Sequence, residues 1–406
     1  MEILHERCCG LDVHKRTVVA CVRTPARSET RTFGTTTPDL QLLGVWLRGA
    51  GVTHVAMEST GVYWQPVFNV LEERAELAVL VVNAQQVKQM PGRKTDVKDA
   101  EWLADLLKHG LVRGSAIPDR ARRELRELIR YRVGVLRQRA QVIQRIQKLL
   151  EAANLKLSSV VSDVAGVTGR AILDGLATGE ANPMALASLA RGSLVRKKTA
   201  LIAALQGRMD AHRRLLLASQ LRHLDFFDGE LSGINQEIAE RLSHHEALLD
   251  RLDAIPGVGR RVAEHVLAEI GTDVSGFPTA AHLVSWAGLC PGNKESAGKR
   301  LSGRTRHGNG WLRTVMVEAA WGAARTRGSY LAAQYRRVAA RRGPKRAIVA
   351  VAHSLLTIIY HMLRDGTLYE DLGPNYFDER DRQATLRRSV RRLERLGYRV
   401  TVEAAA

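Results

Sequence analysis

Residues 94–107 are Lys94-Thr95-Asp96-Val97-Lys98-Asp99-Ala100-Glu101-Trp102-Leu103-Ala104-Asp105-Leu106-Leu107, and they predict a helix. Thr95 suits the start of a helix. Apolar residues recur at three- and four-residue spacing, at Ala100, Leu103, Ala104 and Leu107. Asp96 and Asp99 share one face, where like charges cost roughly a few tenths of a kcal/mol. Two explanations are open: a solvated face, or a divalent cation such as Mg²⁺ bound by carboxylate oxygens.

Strands and helices alternate in the sequence before this helix. The predicted elements are a strand hairpin in 8–22, a helix at 38–49, a strand at 52–58, a helix at 62–74 and an apolar strand at 77–82. This order predicts a mixed α/β sheet in a first domain, residues 1–112.

Two further acids lie on the predicted strands. Asp12 interrupts the first apolar strand, where a buried carboxylate is costly without a partner, and Glu58 ends the strand at 52–58. Each has an ordinary explanation, Asp12 as a turn acid and Glu58 as a cap of the turn that follows. Strand ends and an adjacent helix can nevertheless bring all four acids to one edge of the sheet.

Asp12, Glu58, Asp96 and Asp99 match the Asp-Glu-Asp-Asp pattern of RNase H-like nucleases of the RuvC, Holliday-junction-resolving type. The surrounding residues 10–15, 57–61 and 92–100 resemble the DEDD-type insertion-sequence transposases, a family of RNA-guided serine recombinases. The resemblance implies an RNase H-like N-terminal domain in which the four acids bind Mg²⁺ or Mn²⁺ and are catalytic. Two such ions about 3.5–4 Å apart stabilise the attacking and leaving oxygens of a phosphodiester.

The region 113–252 predicts two long helices around a segment broken by glycines. The first is amphipathic, with a basic face made up of Arg120, Arg122, Arg123, Arg126, Arg130, Arg137, Arg139, Arg145 and Lys148. That face suits either a solvated coiled coil or contacts with nucleic-acid phosphates. The second helix begins near Leu194. The pair predicts an antiparallel coiled coil, as in the resembled family, and could also serve oligomerisation.

The region 253–372 predicts a mainly helical C-terminal domain, with helices at 309–326 and 344–364. Pro256-Gly257-Val258-Gly259 leads into a helix, as in a helix-hairpin-helix that binds a DNA backbone. A plain interhelical turn is the alternative. The tail, residues 373–406, carries an arginine-rich predicted helix that either contacts nucleic acid or is simply solvated.

Residues 285–313 form a glycine-rich, basic segment that is expected to be a loop. A serine in a loop is usually a turn residue. The resemblance implies that Ser296 is the nucleophile that attacks DNA. Ser302 is its rival, and Ser285 and Ser275 are weaker ones. Basic residues suited to holding a phosphate lie nearby, at Lys299, Arg300, Arg304 and Arg306.

Composition narrows the class of protein. At 406 residues, two or three domains are expected. Lys and Arg number 61 against 42 acids, giving +19 and a pI of about 10.3, which favours a polyanionic partner. We expect no membrane span and no signal peptide, and therefore a cytoplasmic protein. The four cysteines lack metal-ligand spacing and are expected to be buried small residues.

The resemblance implies a DNA recombinase that mobilises its own insertion element and associates with the nucleoid of a prokaryote. Its implied partners are DNA, a guide RNA from the element's non-coding flank, and further copies of the chain in a homo-oligomer, from dimer to tetramer. Two rivals are open. One is a metal-dependent, Holliday-junction-type endonuclease in which water is the nucleophile, and the other is a non-catalytic nucleic-acid-binding protein.

Overall fold

A computed structural model describes residues 2–59, 61–83, 99–292 and 294–403, except for the side chains of residues 294–296, 300 and 301. The chain divides into two compact units, Met1–Asp119 and Arg120–Ala406. The finer division into four regions stays a prediction.

The first unit is built on a five-stranded mixed sheet. Its strands are β1 (Cys8–Val13), β2 (Thr17–Arg23), β3 (Ser28–Gly34), β4 (His54–Glu58) and β5 (Ala78–Val82). Their order is β3-β2-β1-β4-β5. The first three strands pair antiparallel, whereas β4 runs parallel to both β1 and β5. The predicted mixed α/β sheet is confirmed, although β3 was not among the predicted strands.

Helices cover both faces of this sheet. They are α1 (Thr37–Gly49), α2 (Trp64–Glu72) and α3 (Asp99–Lys108). Because side chains alternate along a strand, Cys9, Leu11 and Val13 enter one core with residues of α1 and α2. Cys8 points to the opposite face, where it shares a second core with Leu103 of α3.

The second unit is mainly helical and begins with two long helices. These are α4 (Arg120–Ala152) and α9 (Ala211–Leu242). They run antiparallel, because residues early in α4 contact residues late in α9. The contacts that show this are Glu124–Arg241, Arg132–Asn235 and Arg139–Asp228. Whether they pack as a coiled coil stays a prediction. Between them lie short helices α5 (Leu157–Val160), α6 (Val167–Thr178), α7 (Pro183–Ser188) and α8 (Lys198–Ala204), with a 3₁₀ turn at Gly192–Lys197.

The rest of this unit follows α9 and a 3₁₀ turn at Ser243–His245. Its helices are α10 (Glu246–Asp253), α11 (Arg260–Ile270), α12 (Ala280–Trp286), α13 (Gly310–Arg325), α14 (Tyr330–Arg342), α15 (Pro344–Asp365), α16 (Tyr376–Glu379) and α17 (Arg382–Arg395). A hairpin of β6 (Lys294–Ser296) and β7 (Lys299–Ser302) lies between α12 and α13.

Two apolar cores run along the long helix pair. The first half of α4 and the last turns of α9 share one core with α10–α15. Leu125 and Leu242 belong to this core. The other ends of the pair enclose α5–α8, around Ile146 and Leu221. The larger core therefore extends across residue 252, where the sequence predicts a boundary.

Among the described helices, α15 is long and apolar enough to cross a membrane by composition alone. Half of its apolar stretch is buried in the protein. Val351 and Leu355 lie in the larger core, and the Tyr360 hydroxyl donates to the carbonyl of Phe277 over 2.9 Å. Core helices of this kind pass the same test, so α15 does not show association with a membrane.

Candidate active site

Asp12 and Glu58 lie side by side on the sheet. Leu11 of β1 is in register with Met57 of β4, and the two strands are parallel, so the next residues, Asp12 and Glu58, are also neighbours. Neighbours in register point to the same face. The side chain of Asp12 therefore lies on the same face of the sheet as Cys8 and Gly10, and α3 covers that face.

Gly10 sets how closely α3 approaches this face. A Cβ on Gly10 would lie 2.2 Å from the carbonyl oxygen of Ala100 and 2.5 Å from the nitrogen of Ala104. The Cys8 thiol contacts the carbonyl of Ala104. Going from Cys8 to Gly10 along β1 therefore leads back along α3 towards its first residue, Asp99. Asp12 lies two residues further along β1, and therefore towards the Asp99 end of α3.

The structure gives Asp12 a partner that the sequence did not indicate. His14 Nε2 lies 3.0 Å from Asp12 Oδ2, and the Asp12 side chain is 20% exposed. The only available signal was the spacing of two residues across the end of a strand. Asp12 and Glu58 both make further interactions.

The acidic quartet is only partly visible. Asp12, Glu58 and Asp99 belong to the described residues, whereas Asp96 lies outside them. Within the described part of the chain, no three His, Cys, Asp or Glu side chains form a group that could hold a metal ion. The carboxylates nevertheless suit Mg²⁺ chemically, since the ion prefers one or two carboxylates with water and phosphate.

Ser296 ends β6 and directly precedes a two-residue turn. Ser296 pairs with Lys299, and the turn residues Ala297 and Gly298 have φ of 50° and 72°. Such turns match the twist of a hairpin, and in them glycine or asparagine is preferred. Ala297 at positive φ costs roughly 1 kcal/mol. The segment expected to be a loop is thus partly a hairpin with the candidate nucleophile beside its turn.

The base of this hairpin is closed by backbone contacts. The Gly292 N–H donates to the carbonyl of Arg304 over 2.9 Å, and Pro291 forms a bridge with Thr305. A Cβ on Gly308 would lie 2.4 Å from the nitrogen of Gly288, so two backbones meet here without side chains. The hairpin is therefore part of the scaffold that leads into α13.

The rival serines have ordinary roles. The Ser302 hydroxyl accepts from the N–H of Arg304 over 3.2 Å, in the turn after β7. Ser275 donates its hydroxyl to Asp273 over 2.7 Å, and Ser285 lies within α12. Lys299, Arg304 and Arg306 are exposed and form no ion pair with a carboxylate among the described side chains; that of Arg300 lies outside them.

A buried polar network behind the hairpin was not predicted. Glu269 of α11 is 2% exposed and bonds to Arg130 of α4 and to Asn309, the N-cap residue of α13. His265, one turn earlier in α11, is also buried, and burial lowers its pKa from 6.5 to about 4. These residues are far apart in sequence, so no local pattern connects them.

The basic face of α4 has two kinds of arginine. Several make contacts inside the unit: Arg122 with the Ile270 carbonyl, Arg126 and Arg130 with Glu269, Arg132 with Glu264 and Arg139 with Asp228. Burial lowers the pKa of Arg126 and Arg132. Arg137, Arg145 and Lys148 are exposed. Only the second kind is available to a phosphate.

The glycine turn before α11 has a packing explanation. Gly257 has φ of +83°, and a Cβ there would lie 2.2 Å from the Ala319 carbonyl oxygen of α13. Glycine at position 257 is therefore needed for helix packing, whether or not a phosphate binds.

The tail helix α17 has no buried residue among those described and carries exposed Arg387, Arg388, Arg391, Arg392 and Arg395.

Two protein families match this chain. Residues 9–154 match a family described as "Transposase", that of the DEDD transposases of IS110. Residues 249–336 match a second, described as "Transposase IS116/IS110/IS902 family". The first match includes the sheet from the second residue of β1 onward and α3, and the second includes the hairpin, α13 and the start of α14.

Individual relatives are similar to different extents. An "Insertion element IS110 uncharacterized 43.6 kDa protein" of Streptomyces coelicolor is 36% identical over 125 residues, which is 30% of each chain. The "Transposase for insertion sequence element IS1111A" of Coxiella burnetii is 25% identical over 70% of each chain. An "Insertion element IS900 uncharacterized 42 kDa protein" of Mycobacterium paratuberculosis is 27% identical over 72% of this chain and 80% of its own.

Proposed function

The chain belongs to the DEDD transposase family of IS110-type insertion elements, and from this membership we propose that it cuts and rejoins DNA to move such an element. The observation that carries the proposal is the parallel register of Leu11 with Met57, which makes Asp12 and Glu58 neighbours on the sheet face that α3 covers, with Asp99 the first described residue of that helix. This arrangement supports a catalytic role for the three described acids of the family pattern.

We infer that the first unit is an RNase H-like catalytic domain. Three antiparallel strands next to two parallel ones, in the order β3-β2-β1-β4-β5, support this assignment. Asp12, Glu58, Asp96 and Asp99 would hold Mg²⁺ or Mn²⁺. A bound divalent ion supplies charge stabilisation for the oxygens of the phosphodiester that is broken.

Ser296 is the proposed nucleophile. Its hydroxyl oxygen forms a bond to phosphorus, the bond to one strand's oxygen breaks, and the serine proton passes to that leaving oxygen. The hydroxyl oxygen of a new DNA end then bonds to phosphorus, the bond from phosphorus to Ser296 Oγ breaks, and the proton of that hydroxyl passes to the serine oxygen. Three basic residues are exposed around the hairpin and can bind the phosphate that Ser296 attacks: Lys299, Arg304 and Arg306. The turn role of Ser302 supports Ser296 over its rival.

The remaining partners follow from family membership. We infer that the protein acts as a homo-oligomer on DNA in a prokaryotic cytoplasm, with its target chosen by an RNA from the element's flank. The net charge of +19 and the exposed arginines of α17 support a large polyanionic partner. The helix-hairpin-helix role of residues 254–259 is a further part of this proposal.

The decisive experiment is to trap and map a covalent protein–DNA adduct. Wild-type protein with Mg²⁺ should give an adduct at Ser296, while Ser296→Ala and Asp12→Asn should bind DNA but give none. Ser302→Ala is the matched control and should react like the wild type. Modification at Ser302 would move the nucleophile, and metal-dependent cleavage without any adduct would instead favour an endonuclease that uses water.

A further inference from the structure

The segment that leads from the β6–β7 hairpin into α13 is hydrogen-bonded to a buried carboxylate of α11. Glu269 Oε2 accepts a hydrogen bond of 2.6 Å from Nδ2 of Asn309. Asn309 directly precedes α13, and its Oδ1 accepts from the N–H groups of Trp311 and Leu312, each over 3.0 Å. One side chain therefore caps α13 and also connects it to α11.

Arginines of α4 compensate the charge of Glu269. Arg130 donates to both carboxylate oxygens, over 2.8 and 2.9 Å, and Arg126 lies 3.4 Å away. The Arg130 guanidinium also lies over the ring of Trp311, 5.4 Å from its centroid. The start of α13 is thus contacted at two residues by the same ion pair.

The end of α11 that carries Glu269 is itself fixed by α4. The last carbonyls of a helix have no partner within it. Here Arg122 donates to the Ile270 carbonyl over 3.1 Å, and Arg126 donates to that of Glu269 over 2.7 Å. A Cβ on Gly271 would lie 2.1 Å from the Arg122 guanidinium, so glycine leaves room for this contact.

A displacement of Asn309 would also displace the base of the hairpin, because backbone contacts connect the two. The Asn309 N–H donates to the Trp286 carbonyl over 3.0 Å, beside the contact of Gly308 with Gly288 that closes the hairpin base. Burying charges merely to pack helices is unfavourable, since apolar side chains of similar volume often serve as well. A carboxylate instead fixes the direction of its donors.

We propose that Glu269 and Asn309 are positioning residues, whose hydrogen bond holds the hairpin in the orientation that Ser296 needs to attack a phosphate. This inference rests on the proposed function, because it gives Ser296 the role of nucleophile. It assigns α4 and α11 a task in the reaction although neither carries a reacting group.

A test must separate helix capping from positioning. Serine caps a helix about as well as asparagine does, so Asn309→Ser keeps the cap of α13 but loses the amide that donates to Glu269. Asn182→Ser is the matched control. Asn182 caps α7 by accepting from the Met184 N–H over 2.9 Å, far along the chain from the hairpin.

Three quantities should be measured: hydrogen exchange at the Gly292 and Asn309 amides, DNA affinity, and the rate of adduct formation at saturating DNA. In Asn309→Ser we expect at least tenfold faster exchange and at least tenfold slower adduct formation, with affinity unchanged. Asn182→Ser should match the wild type in all three. Wild-type exchange or a wild-type rate in Asn309→Ser would overturn the proposal.

A swapped pair gives an independent check. Asn309→Asp sets two carboxylates against each other, and Glu269→Gln leaves the arginines without their counter-charge. The double variant exchanges amide and carboxylate, and so restores a donor and an acceptor. We expect it to react at least tenfold faster than either single variant, whereas additive losses would overturn the proposal. If the wild type forms no adduct, the proposed function fails, and the exchange comparison alone decides whether this hydrogen bond holds the hairpin.

Discussion

His265 is a titratable residue whose surroundings keep it uncharged. It is 5% exposed, and its Nε2 has no hydrogen-bond partner within the described part of the chain. Burial is the main cause of its lowered pKa, and the positive charges of Arg132 and Arg130 act in the same direction, while Glu269 opposes them. The folded protein therefore binds this proton only near pH 4, whereas the unfolded chain binds it near pH 6.5.

This difference predicts a loss of stability in mild acid. Above pH 6.5 neither state is protonated at His265, so the residue adds no pH dependence. Between pH 6.5 and 4 only the unfolded state takes the proton, so the free energy of unfolding falls as the pH falls. Between pH 7 and pH 5 the wild type should lose about 2 kcal/mol more than His265→Gln.

Urea unfolding at both pH values measures this difference, and comparison with the variant removes the effect of other titrating groups. Val266, the next residue, is fully buried and has no proton to bind, so Val266→Ala is the control and should lower the free energy of unfolding by the same amount at both pH values. Equal losses of unfolding free energy in the wild type and His265→Gln would show that the folded protein binds the His265 proton as readily as the unfolded chain does.

At the scale of elements, α4 divides its arginines between structure and surface. Arg137 is exposed and lies over the ring of Trp311, 5.6 Å from its centroid, beside the hairpin exit. It forms no ion pair with any described carboxylate. Arg139, two residues on, pairs with Asp228 of α9. Of these two arginines, only Arg137 is therefore placed to bind a phosphate.

Salt dependence of DNA binding should distinguish the two arginines. Each phosphate contact contributes about 0.9 to the slope of log affinity against log salt. Arg137→Ala should reduce that slope by about 0.9 and weaken binding several-fold, in an anisotropy titration of duplex DNA from 50 to 300 mM salt. Arg139→Ala should leave the slope unchanged, and an unchanged slope in Arg137→Ala would remove this contact.

The periodicity of α4 predicts a helix correctly but places part of its buried face wrongly. Val133 and Leu136 continue the three- and four-residue spacing of apolar residues from Leu125 and Ile129, which predicts that they are buried. In the structure Leu136 is 47% exposed, whereas Arg132 and Val135 are buried. The reason is the pair that Arg132 forms with Glu264 of α11, whose side chains are both 5% exposed. A buried ion pair formed across 132 residues of sequence gives no local apolar signal.

Two further elements escaped prediction for related reasons. β3 is an edge strand with mostly polar, exposed side chains, so it lacks the apolar pattern of β1 and β5. The hairpin at Ser296 has strands of only three and four residues, and its turn is Ala297-Gly298, where Asn-Gly or Asp-Gly would have indicated a two-residue turn. By contrast, Asp12 within the first strand and Glu58 at the end of a later one were expected to share one edge of the sheet. The register of β1 with β4 makes these two residues neighbours, while the meeting of all four acids stays a prediction.

On the scale of the whole molecule, charge and sequence specificity need separate sources. A net charge of +19 and the exposed arginines of α17 can hold DNA or RNA by its phosphates. Phosphate contacts fix orientation and carry no sequence information. The glycine turn before α11 would likewise hold backbone, and the sequence has no zinc-finger spacing and no basic-zipper pattern. We therefore propose that the sequence specificity comes from base pairing with the guide RNA that the family resemblance implies.

This predicts that protein expressed together with the flanking non-coding DNA copurifies with one discrete RNA. Sequencing of the bound nucleic acid should map that RNA to the flank, and protein expressed from the coding region alone is the control and should lack it. Changing a short loop of the RNA should redirect insertion, because in this proposal the target pairs with the RNA and the protein contacts the backbone. Insertion at the original sites by RNA-free protein, with undiminished specificity, would mean that a surface of the protein itself reads the bases.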